Sequence, residues 1–247
     1  MQFKETALIL AGHGSTKNAE SSRFTRETAH RIRERGIFAE VRSAFWKEQP
    51  SYAEAIQGLR AKKVVVVPWF LASGYFTTKI LAREFAETGE VTCRLTEPLG
   101  SRPEILGQLQ RRAQRLLKSK NLEPRQVSLL LASHGTPLHA GSRGAAVDLA
   151  EQLAQDGYRV ARAIFLEEEP KIADWRGVVG QEGPVVVLPH FLAGGLHGSE
   201  DVPNLLGIPG GAEGWYPSEV GDLGYGEPLG RPEEVENMII ELATAKV

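Results

Sequence analysis

Two histidines, a glutamate and an aspartate fall within the twelve residues "HFLAGGLHGSED" (190–201), a segment loosened by three glycines. Imidazole nitrogen and carboxylate oxygen can ligate a divalent metal. Imidazole also accepts protons near neutral pH, titrating at about 6.5. The first half of the chain holds the same frame as "WFLASGYFTTKI" (69–80), with Trp69 in place of His190 and Phe76 in place of His197. Phenylalanine can neither ligate nor accept a proton. Trp69, Tyr75 and Phe76 instead offer aromatic surface suited to a flat conjugated ligand.

Other candidates lie where apolar runs end. "SLLLASHGTP" (128–137) places His134 in a glycine turn, and "IFLEEEPKIAD" (164–174) places Glu168 after a second apolar run. A His134–Glu168–His197 set converging on one edge suits either transient metal holding or proton acceptance. Two turn histidines bonding backbone carbonyls would show the same spacing, so spacing alone leaves the choice open. Glycine in these turns lets the backbone come close to a ligand. Ser15, Thr16 and Thr136 add hydroxyls and amides there, and Arg143 and Lys79 lie near the same edge. His190, Glu200 and Asp201 are second-rank candidates for orienting imidazoles or passing a metal in. Asp201 also reads as a helix N-cap before "VPNLL". His30 sits mid-helix among charges and reads as solvent-facing, and His139 reads as a loop histidine.

The elements that must position these groups occur twice. "ALILAGHGST" (7–16) returns as "SLLLASHGTP", and "AFWKEQPSYAE" (44–54) as "IFLEEEPKIAD", with Glu48 opposite Glu168 and Pro50 opposite Pro170. "KVVVVPWFLASG" (63–74) returns as "PVVVLPHFLAGG" (184–195), and "EPLGSRPEIL" (97–106) as "EPLGRPEEV" (227–235). Matched segments in one order make the chain a tandem duplication, with lobes expected at 1–124 and 125–247. In each copy an apolar strand ends in a Gly turn and an amphipathic helix follows, about 21–35 and 142–156. A second strand (38–45; 159–166), a Pro-marked turn and a short helix lead to a "VVVV" or "VVVL" run, apolar on both faces like a central parallel strand. The expected fold is α/β: two duplicated lobes, each a parallel sheet flanked by helices, with a cleft between them. Ligands of such sheets bind outside the carboxyl ends of the strands, where all the flagged residues lie. The Gly- and Pro-rich insertion 204–228, carrying Trp215, Tyr216 and Tyr225, is expected to be a long loop. It is either a surface excursion or a cover for a flat ligand.

Composition narrows the class. At 247 residues, 42% hydrophobic and 24% charged, the chain can bury an ordinary soluble core. A net charge of −2 gives no field for nucleic acid or an anionic membrane. The locally basic runs 26–36 and 109–120 read as solvated helix faces. One cysteine, Cys93, excludes an intrachain disulfide framework. The apolar run at the amino terminus is expected to be a buried strand and not a signal peptide, and no stretch approaches bilayer length. A cytoplasmic protein, possible as a monomer, is expected, with no P-loop and no organic cofactor.

The "HGS/HGT" turns, the "EEEP" strand end and "FLAGGLHGSEDVP" together resemble the class II tetrapyrrole chelatases, the sirohydrochlorin cobaltochelatase and ferrochelatase (CbiX/SirB-like) group. The resemblance covers most of the chain, once per half. It implies two α/β lobes and ATP-independent insertion of Co²⁺, Fe²⁺ or Ni²⁺ as a substrate into sirohydrochlorin or a related tetrapyrrole. The family's two histidines match His134 and His197, and its acidic residue matches Glu168, which places the working set in the carboxy-terminal half. Ser15, Thr136, Trp69 and Tyr75 are then the macrocycle contacts. The alternative is a tetrapyrrole or metal carrier without turnover. His190 stands where the resemblance implies an apolar or aromatic residue.

Overall fold

A computed structural model of the chain describes residues 3–16, 18, 20–86, 91–136, 140–180, 182–192 and 200–247. The first repeat runs β1 (Phe3–Gly12), α1 (Glu20–Glu34), β2 (Phe38–Phe45), α2 (Tyr52–Ile56), β3 (Lys63–Pro68), a π-helical turn (Phe76–Ile80) into α3 (Leu81–Ala86), β4 (Thr92–Leu95) and α4 (Glu104–Ser119). The second runs β5 (Ser128–Ser133), α5 (Ala140–Ala154), β6 (Val160–Phe165), α6 (Trp175–Val179), β7 (Val185–Pro189), α7 (Val202–Leu206), β8 (Gly214–Ser218), β9 (Gly221–Tyr225) and α8 (Pro232–Thr244). The helices, strands and α/β class match the duplicated pattern. No helix among the described residues is long and apolar enough to cross a membrane.

One sheet has the order β2-β1-β3-β4 and is parallel throughout. Its central strands are apolar on both faces: Ala7 to Ala11 and Val64 to Val67 are buried. Both surfaces must therefore be covered, as a parallel sheet with crossover helices requires. The other sheet has the order β6-β5-β7-β9-β8, parallel except for the antiparallel edge strand β8. Here Leu129 to Leu131 and Val185 to Leu188 are buried in the same way.

The compact units differ from the repeats at 1–124 and 125–247. One comprises Met1–Arg102 with Gly230–Val247, the other Pro103–Leu229. Each unit takes its last helix from the other repeat: α8 packs on α1 and β3, and α4 on α5 and β7. The two "EPLG" segments stand just before the exchanged helices. A helix only needs an apolar stripe to cover a sheet, and the duplicated sheets offer equivalent faces. α4 supplies its stripe as Ile105, Leu109, Ala113, Leu116 and Leu117, all buried at helical spacing. Leu109→Ala would cost about 2–5 kcal/mol. Of the basic run 109–120, Arg112 is not on a solvated face. It is buried and donates to the carbonyls of Gln108 and Pro228.

The insertion 204–228 is not a loop. It contains the end of α7 and the β8–β9 hairpin, and β9 takes the place beside β7 that β4 takes beside β3. Its aromatics are packed: Tyr225 is buried, and the Trp215 indole N–H donates to the Leu116 carbonyl and Ser119 Oγ of α4. Gly224 leaves room for the Trp215 ring, whose atoms would lie 3.1 Å from a Cβ there. Gly221, with φ +133°, lies so close to the Gly183 carbonyl that a Cβ would stand 2.8 Å from its oxygen.

Candidate functional site

The carboxyl ends of β5 and β6 build the candidate site within the second unit. After Ser133 the chain turns through His134 and Gly135, where φ is +65° and a Cβ would stand 3.0 Å from Phe165 Cβ and 3.1 Å from Glu168 Oε1. Only glycine meets both demands without strain. The turn is clamped from the β6 side. The Leu166 amide donates to the Ser133 and His134 carbonyls, and the Glu167 amide to the His134 carbonyl, each at 3.1 Å. The Thr136 amide donates to Glu168 Oε1. Arg143 holds the other side, with Nη1 at 3.7 Å from Glu168 Oε2, a further bond to the Glu169 carbonyl, and its guanidinium over the Phe165 ring at 5.1 Å.

His134 Nδ1 lies 2.6 Å from the Gly135 carbonyl oxygen. A carbonyl can only accept, so Nδ1 donates and the neutral ring carries its lone pair on Nε2. That nitrogen lies 3.8 Å from Glu167 Oε1, with both side chains about half exposed. A cavity of about 340 Å³ opens beside them, lined by His134, Leu166, Glu167, Asp201, Asn204 and Leu205. The site presents a basic nitrogen, carboxylates and an amide to solvent, hard and borderline donors suited to a divalent cation.

The structure distributes the expected residues unevenly. His134 sits at the cavity, and Asp201 joins it from the start of α7. Asp201 stands at the N-cap position with helical φ −63° and ψ −51° and no side-chain cap bond. The N-cap reading is therefore corrected, and Asp201 is a cavity residue. Glu168, expected beside His134 as a ligand, has its carboxylate engaged by the Thr136 amide and Arg143. The acid facing His134 is its neighbour Glu167. His197 and His139 lie outside the described residues. Among the described residues no group of three or more His, Cys, Asp and Glu side chains is gathered so as to hold a metal ion. The amides of Ser15 and Thr136 serve Glu48 and Glu168 and are not open to a ligand.

His190 is not a surface ligand. It is 1% exposed, its Nδ1 lies 3.3 Å from Ser133 Oγ, and burial pushes its pKa down to about 4. Trp69, expected to offer a ring to a ligand, is likewise buried in the first unit. The exposed rings of that unit are Tyr75, 61% exposed, and Trp46, 37% exposed.

The equivalent edge of the first unit has the same scaffold. His13 Nδ1 lies 3.0 Å from the Gly14 carbonyl, and Gly14 has φ +67°. Glu48 accepts from the Ser15 amide and Ser22 Oγ, each at 2.6 Å, with Arg26 Nη2 at 3.2 Å. Burial would raise the Glu48 pKa, but Ser22, Ser15 and Arg26 outweigh it and hold the carboxyl below the usual range. Lys47 occupies the place of Glu167, and Ile80 that of Asp201. The His13 ring packs on Phe76 at 5.4 Å, and Phe76 in turn on Trp46 and Phe70. Glu167 was not among the residues singled out from sequence, although it lies beside His134 at the cavity. It differs from its counterpart Lys47, as His197 differs from Phe76.

A family model described as CbiX matches residues 7–116 and again 128–245. The chain belongs to the CbiX family. It is 30% identical over 221 residues to a protein of Halobacterium salinarum named a probable sirohydrochlorin cobaltochelatase, covering 80% of this chain and 75% of the relative. Among solved structures it resembles a CbiX described as the terminal enzyme for biosynthesis of siroheme in denitrifying bacteria. That match has a TM-score of 0.74 and 25% identity, and spans 98% of this chain and 99% of the other. A multi-domain protein of Deinococcus radiodurans, described as structurally similar to chelatases, matches with a TM-score of 0.73 at 24% identity. The match covers 98% of this chain but only 55% of that longer protein.

Proposed function

We propose that the chain is a cytoplasmic, ATP-independent chelatase that inserts a divalent metal ion, Co²⁺, Fe²⁺ or Ni²⁺, into sirohydrochlorin or a close tetrapyrrole. The observation that carries the reading is the Nδ1–H bond of His134, which leaves a basic Nε2 facing Glu167 at the rim of an open, donor-lined cavity. Family membership and the names of the relatives support the reaction class.

Two demands follow from the chemistry. The macrocycle must lose two pyrrole N–H protons as the ion enters, so a base is needed near it. The ion must also be released into the ring, so the protein site has to be weak and incomplete. An exposed imidazole with one carboxylate nearby meets both demands better than a closed ligand cage would. In this reading His134 Nε2 presents the ion or takes a proton, and Glu167 and Asp201 add oxygen donors and negative charge. His197, in the Gly-rich segment after β7, is the second imidazole. Glu168 and Arg143 hold the turn, so Glu168 works by positioning His134. The first unit's edge, with Tyr75, Trp46, Lys47 and Lys79 exposed, suits a flat polycarboxylate better than a cation.

Purified protein mixed with sirohydrochlorin and each of the three ions, under exclusion of oxygen, tests the reading through the macrocycle's visible spectrum. Catalysed spectral change with at least one ion is expected. Rates equal to protein-free controls with all three would overturn the reading, and stoichiometric binding without turnover would replace it with a carrier.

A further inference from the structure

A buried polar pair lies directly behind His134. Ser133 ends β5, and His190 follows β7 beside it, one step past the last paired residues Ala132 and Pro189. The His190 amide donates to the Ala132 carbonyl at 2.7 Å, and its ring Nδ1 meets Ser133 Oγ at 3.3 Å. Ser133 is 3% exposed and His190 is 1% exposed. His190 Nε2 is buried with no hydrogen-bond partner among the described residues. Leaving a buried polar group unpaired is unfavourable, and Trp69 Nε1 at the equivalent place of the first unit bears the same cost; what the second unit adds is the contact from His190 Nδ1 to Ser133 Oγ.

The first unit shows what stability does accept. There Gly12 and Trp69 occupy the two places, and the Trp69 amide makes the same bond to the Ala11 carbonyl at 2.8 Å. The turn after Gly12 keeps its clamp: the Trp46 amide reaches the Gly12 and His13 carbonyls, and the Lys47 amide the His13 carbonyl. Backbone and turn therefore form without a Ser–His pair. The pair occurs in the unit whose edge carries Glu167 and Asp201, and is replaced where that edge carries Lys47 and Ile80.

We propose that His190 is a positioning residue for His134. The end of β5 is tied on one side by Leu166 and Glu167, through the Ser133 and His134 carbonyls. His190, through Ser133 Oγ, ties it on the side of β7. With both ties in place the strand end cannot rotate, and the imidazole that follows keeps its Nε2 toward Glu167. This rests on the reading of His134 as the working imidazole.

The double variant S133G/H190W gives this unit the first unit's own pair, so the fold should survive with a thermal midpoint near that of the unaltered chain. Turnover should fall about tenfold, the low end of what outer partners of metal-binding histidines contribute, with KM for sirohydrochlorin unchanged. His190→Asn puts an amide where Nδ1 lies and should restore most of the rate. His190→Gln puts it where Nε2 lies and should not. The ¹³C-labelled Cε1 line of His134 should shift in the double variant and return in His190→Asn. Wild-type turnover in S133G/H190W, or equal losses in the Asn and Gln variants, would make His190 a core filler only. Were the unaltered chain inactive, the reading of His134 would fall, and an unmoved His134 line in the double variant would separately sink the tether.

Discussion

At the end of β1, His13 gives its Nδ1 proton to the Gly14 carbonyl; at the end of β5, His134 gives its own to Gly135. Both turns use a glycine of positive φ pressed against a glutamate carboxylate. Both glutamates accept the amide two residues after the histidine and lean on an arginine of the following helix. What differs is the next layer of side chains. Around His13 stand Phe76, Trp46 and Lys47; around His134 stand Glu167, Asp201 and Asn204. The duplicated scaffold has thus kept the glycine turn, the carboxylate clamp and the Nδ1 bond, and exchanged the side chains that surround them. The Lys47 charge repels a cation and rings supply no strong ligand atom, while the carboxylates of the other rim attract one.

The comparison breaks most directly at the histidines. His134→Ala should lower chelatase turnover by about 100-fold or more, the range for losing a positioned base, while His13→Ala should lower it by less than about threefold. Similar losses, measured in the same spectral assay, would mean the two edges are functionally equivalent.

A second difference lies in the interior. Burial holds the His190 pKa at about 4, below its unfolded value near 6.5. Between those values the unfolded chain binds more protons, so this stabilising contribution is complete above about pH 6.5 and lost as the pH falls toward 4. The linked loss is about 3 kcal/mol. Urea unfolding at pH 7 and pH 4 should show it in the unaltered chain but not in S133G/H190W, because Trp69 in the first unit has no such proton to bind.

The shared clamp should behave alike in both units. Glu168→Gln and Glu48→Gln each weaken a charge-assisted bond to a turn amide and an arginine contact, and should each cost about 2 kcal/mol in urea unfolding. For Glu48, whose folded pKa is lowered, that stability is present above its unfolded pKa and vanishes as the pH drops through the folded value. The smallest effect is the most specific. Glu167→Lys imports the first unit's residue at an exposed position. It should reduce turnover about tenfold and leave the unfolding free energy within about 0.5 kcal/mol of the unaltered chain.

Much of this was readable from residues alone. The apolar runs of β1, β3, β5 and β7 have one physical explanation, burial on both faces, and the ordered repeats placed His134 at a strand end. The exchange of α4 and α8 was not readable, because an amphipathic stripe does not say which of two equivalent sheets it covers. The β8–β9 hairpin was hidden by composition: "GWYPS" and "GDLGY" look like turn sequence until Trp215 is seen anchored on α4. Glu168 was expected at the site because it follows the second apolar run and matches the acidic residue that the resemblance implies. The structure ties Glu48 and Glu168 alike to a turn amide and to an arginine of the following helix. The rims around the two histidines differ at Glu167 against Lys47 and at Asp201 against Ile80. Trp69 and His190 also differ, but strand-end burial turned both inward.

The central claim is that one edge of the duplicated scaffold meets the metal. Substoichiometric Co²⁺ added to protein with ¹³C-labelled histidine, without macrocycle, tests it by paramagnetic broadening of the Cε1–H lines, assigned through His134→Gln and His13→Gln. The His134 line should broaden first while those of His13 and His30 stay sharp. Earlier or equal broadening at His13 would contradict the assignment of the working edge to the carboxy-terminal repeat.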